Sequence, residues 1–162
     1  PKFYGGFSTD LSYKGITLNA VFNYSYGAKK LSPYYESLIT SRGTGVASVD
    51  LVDRWSPENT DAKFPRPIYN DPTDTETMYY NTFSASQMDF SVQNASYLRL
   101  STLSLAYTFP KTIVEKMKIG NLRVYSTISN VFCWTSYKGY DPETGDWYPP
   151  TRMFVFGLSV SL

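Results

Sequence analysis

The sequence predicts an all-β fold of antiparallel up-and-down strands, of the type found in transmembrane β-barrels with long extracellular loops. Three observations support this prediction. The end of the chain alternates apolar with small polar residues, and the connections between predicted strands alternate between short and long. No apolar run is longer than four residues, the length of the run at 131–134, whereas a transmembrane helix needs about 18 or more.

The last predicted strand covers residues 151–162 and shows the pattern most clearly. From Phe154 onward every even position is apolar, and the odd positions after Val155 are glycine and serine. A period of two residues is that of a β-strand. The span of about 10 residues is the length that a tilted strand needs to cross a hydrocarbon layer.

The first two predicted strands, residues 3–13 and 16–27, form a hairpin around Lys14-Gly15. Glycine accepts the positive φ that a tight two-residue turn requires. Such a turn pairs position 13 with 16, 11 with 18, 7 with 22 and 3 with 26. All of these positions lie on the apolar faces, so turn chemistry and hydrophobic pattern predict one register.

Two more strands are predicted at residues 96–109 and 121–133. Within residues 96–109 the apolar parity changes from even positions (Leu98, Leu100) to odd positions (Leu103, Leu105). A β-bulge near Ser101-Thr102 would restore the phase. A short basic connection joins the two strands and has room for one helical turn.

Two long loops are predicted, at residues 28–95 and 134–150. The first is rich in proline and short polar residues, and only its residues 47–55 suggest one or two helical turns. A loop of this length is usually functional or disordered. The connections therefore run short, long, short, long, as expected of a barrel with short turns on one side of the membrane and long loops on the other.

The composition narrows the possible functions. The chain has no histidine, the commonest general base, and a single cysteine, Cys133, so no internal disulfide is expected. The net charge of +1 suggests no nucleic-acid partner. Carboxylates cluster in the loops, and residues 141–146 faintly resemble a calcium loop without its regular ligand spacing. We expect no catalytic site, no metal and no cofactor.

Aromatic residues in the loops are the candidate binding residues. The chain has 15 tyrosines, and flat aromatic rings stack on sugars and anchor protein interfaces. Packing within the loops or an interfacial belt is the competing interpretation. The candidate residues are Trp55, Trp134, Tyr137, Tyr140, Trp147 and Tyr148.

A second fold remains open on these patterns alone. A soluble β-sandwich also alternates, with its apolar face turned to an interior, and could use aromatic loops to bind carbohydrate. This carbohydrate-binding module is the alternative function.

Several stretches together resemble one family, the SusC/RagA-type TonB-dependent outer-membrane transporters of Bacteroidetes. Their order and spacing run across nearly the whole chain. The stretches are Phe3-Tyr-Gly-Gly-Phe7 with Tyr13-Lys-Gly15, Asp53-Arg-Trp-Ser-Pro-Glu-Asn59 followed by Pro65-Arg66, Ser96-Tyr-Leu-Arg-Leu100 with Leu105-Ala-Tyr-Thr-Phe-Pro110, Ser129-Asn-Val-Phe132, and Lys138-Gly-Tyr-Asp-Pro-Glu143.

The resemblance implies that the chain is the C-terminal five-strand part of a barrel of about 22 strands with a plugged lumen. It implies import of oligosaccharides or oligopeptides, driven by the TonB energy-transducing complex through a part of the transporter that precedes this chain. A SusD-like surface lipoprotein would cap the barrel, and outer-membrane lipid would surround it. The aromatic loop residues would then contact substrate or lid.

Overall fold

The computed structural model describes residues 1–39, 46–64, 91–145 and 148–161. It divides into two units. The first, called the sheet unit, comprises Pro1–Ala28, Ser96–Thr135 and Pro150–Leu162; the second, called the loop unit, comprises Lys29–Ala95 and Ser136–Pro149. Among the described residues, no helix is long and apolar enough to cross a membrane.

The sheet unit is a five-stranded antiparallel sheet. Its strands are β1 (Phe3–Tyr13), β2 (Ile16–Tyr26), β5 (Tyr97–Thr108), β6 (Asn121–Thr135) and β7 (Met153–Ser161), which lie side by side in that order. Each strand pairs with its neighbours in sequence among these five, so the arrangement is up-and-down, as predicted.

The β1–β2 hairpin has the predicted register. Tyr13 pairs with Ile16 and Phe7 with Phe22. Lys14 and Gly15 form the turn with φ of 46° and 87°, the positive values that a two-residue hairpin favours. The rings of Phe7 and Phe22 stack at 4.7 Å between centroids, so a cross-strand aromatic pair supports this register.

The predicted bulge lies at Ser101. Leu100 and Thr102 of β5 pair with Phe22 and Val21 of β2, so Ser101 is left without a partner in that ladder. Its hydroxyl donates a hydrogen bond of 3.0 Å to the carbonyl of Val21. The extra residue brings the apolar positions on both sides of the bulge onto one face.

At one end of the sheet the connections are short. The Lys14-Gly15 turn accepts a hydrogen bond of 2.8 Å from the backbone of Thr108 through the carbonyl of Gly15. The connection between β5 and β6 contains a one-turn helix, α2 (Lys111–Val114), followed by a 3₁₀ turn, Glu115–Met117. Val114, the last residue of α2, is buried, and its exposed fraction is 2%.

The loop unit contains more regular structure than the sequence predicts. Strands β3 (Lys29–Leu31) and β4 (Val92–Asn94) form a two-stranded sheet, and helix α1 spans Pro33–Ile39. A 3₁₀ helix at Val49–Asp53 lies inside the segment predicted to hold helical turns. Among the residues of this unit that the structure describes, four buried side chains pack together as a core: Tyr35, Ile39, Leu51 and Phe64.

The prediction of irregular structure over residues 28–95 is therefore wrong at helix α1 and at the β3–β4 pair. Helix α1 begins where Ser32 accepts a hydrogen bond of 3.1 Å from the backbone of Tyr35, and Pro33 occupies the first helical position. Both are helix-start signals. The many prolines and polar residues of the segment had favoured irregular structure instead.

The second long loop begins later than predicted. Strand β6 continues through Thr135, so Trp134 belongs to a strand and not to the loop at 134–150. The Thr135 hydroxyl donates a hydrogen bond of 2.9 Å to the carbonyl of Ser96, which helps to extend the pairing with β5 to this point.

Candidate functional site

The five-stranded sheet has one apolar face, formed by register and bulge together. Leu98 of β5 pairs with Tyr24 and Trp134, and Tyr107 pairs with Ile16 and Val124, so apolar side chains align across the strands. Exposure on this face reaches 77% for Phe156 and 64% for Leu158. The apolar face includes Phe3, Phe7, Leu11, Tyr13, Ile16, Leu18, Phe22, Leu98, Leu100, Leu103, Leu105, Tyr107, Val124, Ile128, Phe132, Trp134, Phe154, Phe156, Leu158 and Val160.

The opposite face of the sheet is polar and carries small side chains. Asn19 donates a side-chain hydrogen bond of 2.8 Å to Asp10, and the hydroxyls of Ser104 and Thr127 lie 2.9 Å apart. A shallow cavity of about 260 Å³ on this face is lined by residues that include Arg123. An apolar face opposite a polar one is the pattern of a barrel wall between lipid and an aqueous lumen.

In the loop unit, Tyr140 forms an aromatic pair with Tyr34. Their ring centroids lie 4.6 Å apart with the ring planes inclined by 28°. Both rings are partly exposed, Tyr140 by 51% and Tyr34 by 39%. The sequence identified Tyr140 but not Tyr34, because only the fold of the chain brings α1 beside residues 136–140.

Three other predicted binding residues lie in the loop unit. Trp55 is partly exposed and Tyr148 largely exposed, so both rings are accessible. Tyr137 is buried, and its hydroxyl donates a hydrogen bond of 3.3 Å to the carbonyl of Leu31 in β3. Tyr137 is therefore packed inside the loop unit.

The remaining two candidates are placed differently. Trp134 lies on the apolar face of the sheet, where it packs edge-to-face with Phe132 at 4.8 Å between ring centroids. Its position on this face suits an interfacial belt better than a binding loop. Trp147 lies outside the described residues.

In the loop unit, Tyr35, Asp50 and Lys138 form a connected polar cluster. The Tyr35 hydroxyl donates a hydrogen bond of 2.5 Å to the Asp50 carboxylate, and the Lys138 ammonium forms an ion pair with the same oxygen. The ammonium also lies 5.4 Å from the centre of the Tyr35 ring. The cluster joins helix α1, the 3₁₀ helix and the segment that follows β6.

These contacts change the acidity of both acidic groups. The hydrogen bond from Lys138, and then that from Tyr35, hold the pKa of Asp50 below its usual value. Burial, followed by the hydrogen bond to Asp50 and its negative charge, raises the pKa of Tyr35 well above that of an ordinary tyrosine. Asp50 is therefore ionised and Tyr35 protonated at neutral pH, as the hydrogen bond between them requires.

The acidic turn that faintly resembles a calcium loop has a structural use. Asp141 is buried, and one of its carboxylate oxygens accepts hydrogen bonds of 2.9 Å from the backbone amides of Glu143 and Thr144. Within the described ranges, no group of three or more Cys, Asp or Glu side chains is arranged to hold a metal ion. Asp141 thus stabilises its own turn.

The sequence missed Tyr34, Tyr35, Asp50 and Lys138. The helix-start pair Ser32-Pro33 was the available signal for Tyr34 and Tyr35, since a helix there presents both rings from one short element. The ion pair joins residues 88 positions apart, and periodicity holds no information on contacts at that separation.

No family model matches the sequence. Individual relatives do match over nearly its whole length. The chain is 30% identical over 177 aligned residues to the TonB-dependent receptor P3 of Formosa agariphila, which covers 99% of this chain. It is 39% identical over 80 residues to the TonB-dependent receptor SusC of Bacteroides thetaiotaomicron, covering 44% of this chain. The chain spans 16% of the length of the first receptor and 8% of the second.

Solved structures agree with these sequence matches. The chain superposes on the RagAB peptide transporter with a TM-score of 0.72 and 29% identity, and on the open-open state of the RagAB peptide importer with a TM-score of 0.70 and 30% identity. Each match covers 98% of this chain and 17% of the other. The chain therefore belongs to the SusC/RagA-type TonB-dependent transporters of the Bacteroidetes outer membrane.

Proposed function

We propose that this chain is the C-terminal barrel segment of a transporter that imports oligosaccharides or oligopeptides across the outer membrane. The observation that carries the proposal is the exposed apolar face of the five-stranded sheet. A β-sandwich would turn such a face into its interior, whereas Phe154, Phe156 and Leu158 are all more than half exposed. Lipid is the environment in which exposing these side chains is favourable.

The substrate class follows from the relatives. RagAB is a peptide importer by name, and SusC is a TonB-dependent receptor. Import would depend on the TonB complex, acting through parts of the transporter outside this chain. A SusD-like surface lipoprotein would cap the assembled barrel.

Within the loop unit, the exposed aromatic rings are the proposed contacts to substrate or lid. Tyr140 and Tyr34 together present a stacked pair, and Trp55 and Tyr148 present single rings. Aromatic rings of this kind bind sugar faces and apolar peptide side chains with little loss of conformational entropy. The prediction for Trp147 rests on the sequence alone.

Two substitutions in β1 test the membrane orientation of the sheet. Thr9 and Ser8 are adjacent, exposed and similar in size, but Thr9 lies on the apolar face and Ser8 on the polar face. In the full-length transporter that carries this segment, Thr9→Arg places a charge against lipid, at a cost of about 2–4 kcal/mol near the bilayer centre. Ser8→Arg places the same charge toward the lumen.

The measurement is assembly in the outer membrane, followed by heat-modifiable mobility of the barrel and by growth on the imported nutrient. We expect Thr9→Arg to reduce assembly strongly and Ser8→Arg to leave it near that of the unmodified transporter. Equal assembly of the two variants would contradict a lipid-facing apolar surface.

A further inference from the structure

A groove interrupts the apolar face of the sheet between β5 and β6. It has a volume of about 390 Å³ and is lined mainly by apolar side chains. Ser126, which pairs with Leu105 in the β5–β6 ladder, is one of its small lining residues. The other lining residues are Ile16, Leu105, Ala106, Tyr107, Val124, Tyr125 and Phe156.

The small side chain of Ser126 makes this hollow. Neighbouring positions of β6 on the same face, Val124 and Ile128, are bulky and branched, and Phe156 pairs with Ser126 from β7. A serine that faces hydrocarbon in the middle of an apolar surface gains nothing from its hydroxyl there. The hollow is therefore a shape on the lipid side of the sheet, of a size that suits a small ligand or part of a chain-like one.

The groove lies toward the short-connection end of the sheet. Tyr107, which lines the groove, is followed at once by Thr108 and the connection that contains α2. Phe109, the first residue of the connection, lies two positions beyond Tyr107, which is about 7 Å along an extended chain. Any molecule that fills the groove along the strands would therefore have its polar end near this connection.

That connection carries an excess of positive charge. Lys111, Lys116 and Lys118 are all exposed, and Glu115 is the only acidic residue among residues 109–120. Ile113 and Met117 are exposed beside them by 43% and 57%. A mixture of exposed apolar side chains and lysines is typical of a segment that lies at the surface of an anionic membrane.

We propose that the groove at Ser126 and the lysines of residues 111–118 form a binding site for one anionic phospholipid. An acyl chain lies in the groove, and the headgroup phosphate is held by the lysine ammonium groups. The proposal rests on the function proposed above, since it requires the apolar face to lie in lipid. It adds a specific lipid site to a surface that otherwise needs only hydrocarbon.

The test uses the full-length transporter, purified in detergent and titrated with phosphatidylglycerol or with phosphatidylcholine of the same acyl chains. Native mass spectrometry counts the bound lipid. We expect the unmodified transporter to retain phosphatidylglycerol preferentially. Lys111→Gln with Lys116→Gln should weaken that binding about 25-fold, or about fivefold for each lysine. Lys29→Gln, in β3 of the loop unit, is the matched control and should leave binding unchanged.

A second variant tests the groove. Ser126→Leu fills the hollow with a side chain that lipid favours, so the fold is retained while phosphatidylglycerol binding falls about tenfold through steric overlap. Thr9→Leu makes an equivalent change on the same face, away from the groove, and should have no effect.

The outcomes separate this proposal from the general function. If the unmodified transporter assembles and imports but binds the two lipids equally, the lipid site is wrong and the transporter assignment stands. Unchanged binding in either the lysine variant or Ser126→Leu would also overturn the site. Failure of the unmodified transporter to assemble in the membrane would instead count against the proposed function.

Discussion

The ring of Tyr125 in β6 lies across Gly157 in β7, in the space that a side chain at position 157 would occupy. The two residues pair directly in the β6–β7 ladder. A Cβ added to Gly157 would overlap the end of the phenol ring. Glycine at this position allows the close approach of the aromatic ring, and the ring covers the backbone that glycine leaves open.

We predict that Gly157→Ala destabilises the transporter by about 1–3 kcal/mol, the usual cost of overpacking. The ring must move for the new methyl group to fit. Tyr125→Ala in the same background should recover part of the loss, because the overlap is then absent. Urea unfolding of the refolded transporter in lipid measures each value. Ser159→Ala, two residues further along the same face, is the control, and an equal loss there would contradict the explanation.

A second prediction concerns Asn130, which has a φ of 52° in β6. Its side chain donates a hydrogen bond of 2.8 Å to the carbonyl of Thr151, and Arg152 donates to the carbonyl of Val131 at 2.7 Å. Asparagine and glycine accept a positive φ, whereas branched residues do not. We expect Asn130→Val to cost about 1–3 kcal/mol and Asn130→Gly to cost less. The same unfolding measurement checks this, and equal losses would show that the backbone conformation is unimportant.

The third prediction is a pH dependence of the loop unit. Because the pKa of folded Asp50 is lowered by Lys138 and Tyr35, its contribution to stability is complete above about pH 4 and is lost as the pH falls through the folded value. Lys138 is 49% exposed and Asp50 24%, so solvent screening keeps the effect modest.

Loss of this contribution should open the loop unit more often. Pepsin cleavage within residues 33–39 and 136–140, followed between about pH 5 and about pH 2, measures that opening. Cleavage should accelerate at the acid end in the unmodified protein. The Asp50→Asn variant should be cleaved faster than the unmodified protein at the upper end of this pH range, and its cleavage rate should change less with pH. An unaltered pH profile in Asp50→Asn would exclude this carboxylate as the cause.

The fourth prediction separates binding residues from packing residues in the loop unit, and depends on the proposed function. Tyr140→Ala should weaken substrate or lid binding about threefold to tenfold, because a stacked aromatic contact contributes about 0.5–1.5 kcal/mol. Tyr137→Phe removes the hydroxyl that donates to the carbonyl of Leu31 and should lower stability without changing affinity. Binding isotherms and thermal unfolding of both variants provide the comparison. Loss of affinity in Tyr137→Phe alone would reverse the two assignments.

The sequence by itself determined the sheet. Its strands are read from a period of two, the register of the first hairpin from Lys14-Gly15, and the bulge at Ser101 from a change of apolar parity. These features are local, because a strand needs only its own alternation and a tight turn to specify its neighbour. The same local stretches, in order, also identified the family.

Only the tertiary structure decided the loop unit. Strands β3 and β4 are three residues each and far apart in sequence, and Asp50 and Lys138 meet across 88 positions. Neither contact leaves a periodic pattern. Whether two residues so far apart in sequence come into contact depends on the whole path of the chain between them. The same reason explains Trp134 and Tyr140: as sequence both are aromatic loop residues, but the extension of β6 places one on the apolar face and the position of α1 gives the other its partner, Tyr34.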